Sequence, residues 1–317
     1  MTVGGPTLTL SNGVTMPFFG LGTWQSKPEE VKAAVKAAVH AGYRLIDTAA
    51  VYQNEDAIGE AVEELIKEGV VTRDDLFITT KLWMTHLHPD HVEEACRDSL
   101  KKLKLDKVDL YLSHMPTAFN TDGSKQDHSV TVEDNWKVLE KVYKAGLARA
   151  IGVSNYSVEQ VERIMKVAEV PIHNQQVELH LYFPQLEMEK VCRKHNITLT
   201  SFSTLGSPGR FNFTLPNGVR PAWAPAPADM DDAFVHELAK KYHKSSAQIL
   251  LRYVIDRNIA VIPKSVTDSR IKENFDVFDF KLTAQELERL NNSPHHVRLF
   301  PQDFMIGHPE DAFASER

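Results

Sequence analysis

The sequence predicts an α/β protein built as a single (β/α)8 TIM barrel that spans residues 1–317. Short apolar runs typical of strands alternate with amphipathic helix patterns eight times along the chain. Most of these runs are apolar on both faces, as expected of parallel strands that helices cover. The glycine pattern G-x-G-x-x-G, which open dinucleotide-binding sheets carry after their first strand, is absent. The closed barrel is therefore favoured over a doubly wound sheet.

The chain opens with a predicted β-hairpin at residues 7–16, because an Asn-Gly pair at its centre favours a tight turn. A first barrel strand follows. The pattern Ser26-x-x-Glu29 then predicts a capping box at the start of the first helix. Gly42 predicts the end of that helix, since glycine readily adopts the left-handed conformation of a C-terminal cap.

The same strand and helix unit recurs to the end of the chain. Capping boxes at Thr131 and Ser157 mark two further helix starts. The predicted barrel strands cover residues 18–21, 44–47, 76–81, 108–114, 148–153, 174–178, 197–202 and 259–263. The helices after the first are predicted at residues 54–67, 89–103, 131–144, from 157, 185–195, 231–242, 245–256, 268–274 and 283–291.

Three segments are longer than ordinary connections, namely residues 115–130, 206–230 and 294–317. Each is expected on the C-terminal side of the barrel, where the functional groups of this fold gather. Long structured loops usually act as lids or substrate walls. We therefore predict that these three segments are substrate loops.

Composition excludes several other classes of protein. The net charge of −7 and a pI near 6.1 argue against nucleic acid or an anionic membrane as the main partner. The chain has no apolar run of about 18 residues and no signal-peptide pattern at its start. The two cysteines, Cys96 and Cys192, lie on apolar helix faces and are expected to be reduced. These observations predict a cytoplasmic protein.

Four polar side chains fall at or just beyond the ends of three successive predicted strands: Asp47 and Tyr52 after one strand, Lys81 at the end of the next, and His114 at the end of the third. Carboxylate, phenol, ammonium and imidazole would then meet at one end of the barrel. This combination predicts an active site.

The chemistry of these groups suits the reduction of a carbonyl. Tyr52 is the candidate general acid, Lys81 the cation expected to lower its pKa, and Asp47 the partner that holds Lys81. His114 is expected to be neutral and to orient a carbonyl oxygen. No strong nucleophile is present, and no His, Cys or carboxylate cluster has metal-ligand spacing, so no metal site is predicted. Hydride would have to come from a nicotinamide cofactor.

Features expected of a cofactor site are present near the last strands. Lys264 and Arg270 flank a predicted helix start after the eighth strand, where barrels commonly bind phosphate. Phe202, at the end of the seventh strand, offers a ring face for stacking. Groups that could hold a carboxamide are Ser154, Asn155 and Gln176.

Several motifs taken together resemble the aldo-keto reductase superfamily, in particular its aldose and aldehyde reductase-like members, along essentially the whole chain. They are Gly42-Tyr43-Arg44 with Asp47-Thr48-Ala49, Glu55 and Gly59; Leu110-Tyr111-Leu112-Ser113-His114; Ile151-Gly152-Val153-Ser154-Asn155; and Ile262-Pro263-Lys264-Ser265 with Arg270, Glu273 and Asn274. The resemblance implies an NADPH-dependent reductase of aldehydes or ketones that acts as a monomer on a small molecule. It also implies the catalytic tetrad Asp47, Tyr52, Lys81 and His114.

The resemblance assigns further site residues. Those implied for the cofactor are Gly22, Thr23, Trp24, Asp47, Ser154, Asn155, Gln176, Phe202, Ser203, Leu205, Ser207, Lys264, Ser265, Val266, Arg270, Glu273 and Asn274. Those implied for the substrate are Trp24, Val51, Tyr52, His114, Met115 and Phe119.

The sequence departs from the commonest family patterns in places. Met115 stands where many members carry tryptophan after the catalytic histidine, and a flexible thioether there should widen the substrate pocket. Phe202 replaces a frequent tyrosine, and Gln175 a frequent asparagine. Two other functions remain as alternatives: a non-catalytic relative that binds the cofactor in a structural or regulatory role, and a metal-dependent barrel hydrolase.

Overall fold

The computed structural model describes residues 3–214, 220–221 and 223–317. Strands β1 (Thr7–Thr9) and β2 (Thr15–Pro17) form the predicted hairpin, whose loop spans residues 11–13. An eight-stranded parallel sheet follows, in which each strand pairs with the next one along the chain. Its strands are β3 (Gly20–Gly22), β4 (Leu45–Asp47), β5 (Phe77–Leu82), β6 (Val108–Ser113), β7 (Ala148–Ser154), β8 (Asn174–Glu178), β9 (Thr198–Phe202) and β10 (Ala260–Val261).

The first and last strands of this sheet also meet, which closes it into a barrel. Phe19 pairs in parallel with Val261, and Gly22 with Lys264. The regular part of the first strand lies slightly later than the predicted residues 18–21, because the earlier residues of that segment make the closing contacts with the last strand. The predicted (β/α)8 barrel with its N-terminal hairpin is thereby confirmed.

Helices alternate with the strands and cover the barrel. Thr131 and Ser157 cap two of them with their side chains, as predicted. One helix begins at Val92 rather than at residue 89, because the preceding residues form a turn. The helices are α1 (Pro28–Ala41), α2 (Glu55–Lys67), α3 (Val92–Leu103), α4 (Val132–Lys144), α5 (Val158–Val167), α6 (Leu186–Lys194), α7 (Ala233–Tyr242), α8 (Ser246–Asp256), α9 (Asp268–Phe275) and α10 (Ala284–Asn291).

The predicted capping box of α1 is displaced by one residue. Lys27, not Ser26, occupies the N-cap position, and the Glu30 carboxylate accepts its backbone N–H at 3.3 Å. The backbone N–H of Ser26 is instead donated to the Thr23 carbonyl at 3.1 Å. The turn that follows β3 therefore uses Ser26 before the helix starts.

The core lies inside the barrel and between the barrel and its helices. Every side chain of β4, β5, β6 and β8 is buried, as the doubly apolar strand patterns predicted. Cys96 and Cys192 are buried free thiols, as expected. Among the described residues, no helix has the length and apolar character needed to cross a membrane.

The segments at 206–230 and 294–317 contain short helical turns, and the segment at 294–317 contacts both of the other two. In residues 115–130, Phe119 pairs with Gln126, whose side-chain amide donates to the Phe304 carbonyl in the C-terminal segment at 2.8 Å. The C-terminal segment is held further by Glu310, which accepts from the Arg163 guanidinium of α5 at 2.7 Å. Within the predicted loop at 206–230, residues 215–219 and 222 lie outside the described residues.

Candidate active site

Asp47 and Lys81 form a buried ion pair at the C-terminal end of the barrel. Lys81 Nζ lies 2.5 Å from Asp47 Oδ1 and also donates to the Thr48 carbonyl at 2.8 Å. Gln176 reaches the pair from β8, and its Nε2 donates to Asp47 Oδ2 at 2.8 Å. Burial lowers the pKa of Lys81, while the contact with Asp47 opposes that effect. Because both carboxylate oxygens have donors, the pair is held in one orientation.

The segment between Asp47 and α2 is held by side chains of its own and of the preceding turn. Thr23 Oγ1 donates to the Asp47 carbonyl at 2.9 Å. Thr48 Oγ1 donates to the Asn54 side chain at 2.9 Å, and Asn54 Nδ2 donates to the Thr23 carbonyl at 3.0 Å. These contacts fix the short helical turn at residues 50–52, which ends at Tyr52.

The Tyr52 ring lies beside the ion pair, with its centroid 5.2 Å from Lys81 Nζ. Burial raises the pKa of Tyr52 well above its usual range, and the negative charge of Asp47 raises it further. The expected lowering of this pKa is therefore wrong for the chain by itself, because burial and the charge of Asp47 raise it. The phenol accordingly carries its proton at neutral pH.

His114 packs edge-on against two aromatic rings. The imidazole centroid lies 5.7 Å from that of Tyr52 and 5.2 Å from that of Trp83. Burial lowers the pKa of His114 well below its usual range, and the charge of Lys81 lowers it further. The imidazole is therefore neutral, as expected. Trp83 was not predicted from the sequence, although its position just beyond the end of β5 marks it as a candidate site residue.

The groups expected to hold a carboxamide lie on neighbouring strands: Ser154 ends β7, Asn155 follows it, and Gln176 lies in the middle of β8. All three are buried, and Ser154 pairs with Gln176 in the sheet. Asn155 has a left-handed backbone with φ of 63° and donates from Nδ2 to the His114 carbonyl at 3.0 Å. This arrangement places them beside Asp47 at the centre of the barrel mouth.

Phe202 ends β9 and is half-buried, with its ring 6.2 Å from that of Phe300. A tight turn follows, in which Gly206 N–H is donated to the Ser203 carbonyl at 2.8 Å. Ser203 and Ser207 both have left-handed backbones. The predicted residues Ser203, Leu205 and Ser207 are half-buried on this turn, at the same end of the barrel as Asp47.

The predicted phosphate residues surround the N-terminus of α9. Thr267, at the N-cap of this helix, makes no capping hydrogen bond through its side chain, so the first N–H groups of the helix are available to an anion. Lys264 and Arg270 are exposed, and neither has a salt-bridge partner within the described part of the chain. These residues fit a phosphate group. Ser265 and Asn274 are buried nearby, whereas Val266 and Glu273 are exposed.

Aromatic side chains from three segments form a wall at the barrel mouth, which we name the aromatic wall and define as Trp24, Phe213, Trp223 and Phe300. The Trp24 ring lies 5.2 Å from Phe213 and 5.6 Å from Phe300, and Trp223 lies 5.1 Å from Phe300. Phe300 was not identified from the sequence because nothing in its local pattern distinguishes it. The wall gives the barrel mouth an apolar surface.

The remaining predicted substrate residues are arranged around the tetrad. Val51 is half-buried on the turn that carries Tyr52. Met115 directly follows His114 and is buried, with 4% of its surface exposed. Phe119 is half-buried and packs against Phe304, their centroids 6.3 Å apart.

A metal-dependent site finds no support in the described residues, among which no cluster of three or more His, Cys, Asp or Glu could hold a metal ion. The polar groups at the barrel mouth are instead an ion pair, a phenol, an imidazole and amides. This set can donate protons and hydrogen bonds to an oxygen atom, and it offers no activated nucleophile.

The chain is similar in sequence to known proteins of one family. Residues 15–293 match the model of the Aldo/keto reductase family. A Danio rerio protein, aldo-keto reductase family 1 member A1-A, is 45% identical over 304 residues, covering 92% of this chain and 90% of the relative. The Homo sapiens aldo-keto reductase family 1 member A1 is 42% identical over 294 residues, covering 89% and 87%.

Solved structures show the same fold. The aldose reductase from Schistosoma japonicum superposes with a TM-score of 0.88 at 38% identity and covers 98% of this chain and 100% of that one. The Bombyx mori aldo-keto reductase, solved in complex with NADP, superposes with a TM-score of 0.87 at 38% identity, covering 97% and 98%.

Proposed function

Because the chain belongs to the aldo/keto reductase family, we propose that it reduces an aldehyde or ketone to an alcohol with NADPH. The family uses NADP(H), and the Bombyx mori relative was solved with NADP. The observation that carries the proposal is the group of Asp47, Lys81, Tyr52 and His114, which three neighbouring strands bring together at the barrel mouth.

Tyr52 is the proposed general acid. Its pKa is raised by burial, so the phenol holds the proton that the product oxygen needs. As the proton leaves, negative charge develops on the Tyr52 oxygen, and Lys81 is close enough to the ring to stabilise it. Asp47 keeps the Lys81 ammonium in place through the 2.5 Å contact.

His114 is proposed to orient the carbonyl. Since its imidazole is neutral, one ring nitrogen carries a proton that can be donated to the substrate oxygen. Edge-on contacts with Tyr52 and Trp83 fix the plane of the ring. Donors from Tyr52 and His114 would then converge on one oxygen, which is the arrangement that favours developing negative charge.

The cofactor residues are proposed from their positions around the same mouth. Ser154, Asn155 and Gln176 would hold the carboxamide, and the Phe202 ring would stack on the nicotinamide. The turn at 203–207 would bind the pyrophosphate, and Lys264 with Arg270 at the start of α9 would bind the 2′-phosphate. When bound, the reduced nicotinamide supplies the hydride that the protein itself lacks.

The test is the substitution Tyr52→Phe. Consumption of NADPH should be measured with aliphatic and aromatic aldehydes, sugars and diketones. We expect the variant to lose about 10²–10⁴-fold in turnover, which is the usual contribution of a general acid. Binding of NADPH, followed by quenching of protein fluorescence, should be nearly unchanged because the phenol is not a proposed cofactor contact.

Tyr143→Phe is the matched control, since its ring packs on His173 rather than on the tetrad. This control should retain full turnover. Retained turnover in Tyr52→Phe would show that another group supplies the proton. If the unaltered protein binds NADPH but reduces none of the carbonyls, the non-catalytic alternative is favoured.

A further inference from the structure

A buried histidine joins two carboxylates outside the catalytic group. His180 Nε2 lies 3.1 Å from Glu178 Oε1, and its Nδ1 lies 3.0 Å from Asp229 Oδ2. The side chains of His180 and Glu178 are fully buried, and that of Asp229 is 1% exposed. We call Glu178, His180 and Asp229 the buried triad.

Geometry alone indicates that His180 is charged. Each ring nitrogen faces a carboxylate oxygen at hydrogen-bond distance, and only the protonated imidazole can donate from both nitrogens. A neutral ring would point a lone pair at one of the two carboxylates. In agreement, hydrogen bonds to Asp229 and Glu178 raise the pKa of His180 to about 9, even though burial acts in the opposite direction.

Glu178 of the buried triad holds the C-terminal segment. Glu178 Oε1 accepts the backbone N–H of Leu299 at 2.6 Å, and Oε2 accepts that of Phe300 at 3.1 Å. Phe300 belongs to the aromatic wall and contacts both Trp24 and Trp223. The position of the wall therefore depends on where the Glu178 carboxylate points.

Asp229 of the buried triad contacts the turn at 203–207. Asp229 Oδ2 accepts the Leu181 N–H at 3.1 Å in addition to contacting His180. Asp229 Oδ1 lies 2.9 Å from the position that a Cβ at Gly206 would take, so the carboxylate packs directly on that turn. Asp229 thus links the end of the loop at 206–230 to the turn proposed to bind the pyrophosphate.

We propose that His180 is a positioning residue whose positive charge holds Phe300 and the turn at 203–207 in one arrangement, and that it thereby determines whether bulky carbonyl substrates fit against the aromatic wall. The part of this inference that concerns substrates rests on the proposed reductase function. The part that concerns the two segments stands on the hydrogen bonds alone.

Charge, rather than hydrogen bonding in general, is the decisive property. Glu178 and Asp229 bring two negative charges into one buried site. Arg298 contributes a cation 3.8 Å from Glu178 Oε2, and burial lowers the pKa of Arg210, an effect that the charges of Glu178 and Asp229 oppose. Among the described residues His180 is the cation within salt-bridge distance of Asp229, so without its charge Glu178 and Asp229 should move apart.

The first test is amide hydrogen exchange with the full chain. In His180→Gln, exchange at Leu299 and Phe300 should accelerate by about tenfold or more, because their acceptor is no longer held. Asp229→Asn should act in the same direction and serves if the first variant folds poorly. In the unaltered protein, the same two amides should lose protection relative to the rest of the chain above about pH 9.

The second test separates KM from kcat with two aldehydes and NADPH. His180→Gln should raise KM for naphthaldehyde by about tenfold while KM and kcat for propanal change by less than about twofold. A merely structural role would change both substrates together.

The control is His173→Gln. His173 is also buried, but it accepts the Ile151 N–H, and burial lowers its pKa to about 4, so it is neutral. This variant should leave the exchange at Leu299 and Phe300 unchanged and affect the two aldehydes equally.

Unaltered exchange in both His180→Gln and Asp229→Asn would overturn the proposal, as would equal changes of KM for the two aldehydes. If the unaltered protein reduces neither aldehyde, the reductase function fails and the exchange experiment alone decides the role of His180.

Discussion

At the scale of single residues, the candidate site divides into groups that the protein pairs and groups that it leaves for a ligand. Asp47 has donors from Lys81 and Gln176, and the set is closed to solvent. Lys264 and Arg270 are exposed cations without an ion-pair partner among the described residues. In a chain of net charge −7, such cations beside a helix N-terminus favour an anionic ligand.

Arg270 gives a test of cofactor choice. If it binds the 2′-phosphate, Arg270→Ala should weaken NADPH by about 10–100-fold, as expected when one charge-assisted hydrogen bond is lost. NADH lacks that phosphate, so its affinity should change by less than about threefold. Dissociation constants from fluorescence titration would measure both.

Lys272→Ala is the matched control on the same helix. Lys272 is exposed like Arg270, but it is paired with Asp268 at 2.8 Å. Its removal should affect both cofactors little. Equal losses of NADPH and NADH affinity in Arg270→Ala would place the phosphate site elsewhere.

At the scale of elements, each strand contributes rigidity and its last residues contribute function. Asp47 ends β4, Lys81 lies one residue before the end of β5, and Ser154 ends β7. The sheet register fixes their relative heights, because Ser154 pairs with Gln176 and Asp47 with Thr79. Strand packing at the barrel centre should therefore be intolerant of added volume.

Gly152 tests that intolerance. A Cβ at this position would lie 2.2 Å from the Asn174 carbonyl oxygen and 2.8 Å from a methyl group of Leu112. Gly152→Ala should therefore lower the free energy of unfolding by about 1–3 kcal/mol or more, since β7 and β8 cannot separate freely. Urea denaturation would measure the loss.

Gly209→Ala is the comparison, because a Cβ there would meet nothing within 4 Å and the residue has no left-handed backbone. Its free energy of unfolding should stay within about 0.5 kcal/mol of the unaltered value. A stability of Gly152→Ala equal to that of Gly209→Ala would mean that the two strands move apart at little cost.

At the scale of the whole molecule, the C-terminal segment at residues 294–317 connects several parts of the structure. The tail contacts the first long loop through Gln126, helix α5 through Arg163, and β8 through Glu178. These contacts include buried charges, so the stability of this face should depend on pH.

His180 provides the clearest expected pH dependence. Its folded pKa of about 9 lies above the ordinary 6.5, so the native state holds this proton more tightly than the unfolded state. The stabilisation is fully present below about pH 6.5 and is lost as pH rises through about 9. Since one pKa unit corresponds to about 1.4 kcal/mol, it amounts to about 3 kcal/mol.

Urea unfolding of the unaltered protein and of His180→Gln would measure this contribution at about pH 6 and about pH 10. The difference in unfolding free energy between the two proteins should shrink by about 3 kcal/mol from the lower to the higher pH. His173→Gln should show only a small change of the opposite sign, because the native His173 imidazole is neutral while the unfolded chain still binds a proton there near pH 6. A constant difference for His180→Gln would mean that its imidazole is not protonated in the native state.

Much of the fold could be predicted because its signals are local. The alternation of strands and helices, the caps at Thr131 and Ser157, and the strand-end positions of Asp47 and Lys81 all follow from residues near in sequence. The cap of α1 was misplaced by one residue because Ser26 closes a turn instead. Local patterns could not distinguish these two uses of a serine.

Other features depend on contacts between distant residues. The predicted direction of the pKa shift of Tyr52 was wrong because the shift depends on how deeply the phenol is buried and on the charge of Asp47 nearby. Phe300 of the aromatic wall and the buried triad were missed for the same reason. Phe300 gains its role only because Glu178, 122 residues earlier, accepts its N–H.

The sequence by itself therefore determined the barrel, the family to which the chain belongs and the strand ends at which its candidate catalytic groups stand, since apolar periodicity and short motifs are properties of neighbouring residues. Which groups are charged, and how the long loops are held, depends on contacts that form when the chain folds. The physical reason is that burial sets the cost of every charge, and burial arises from packing between segments that lie far apart along the chain.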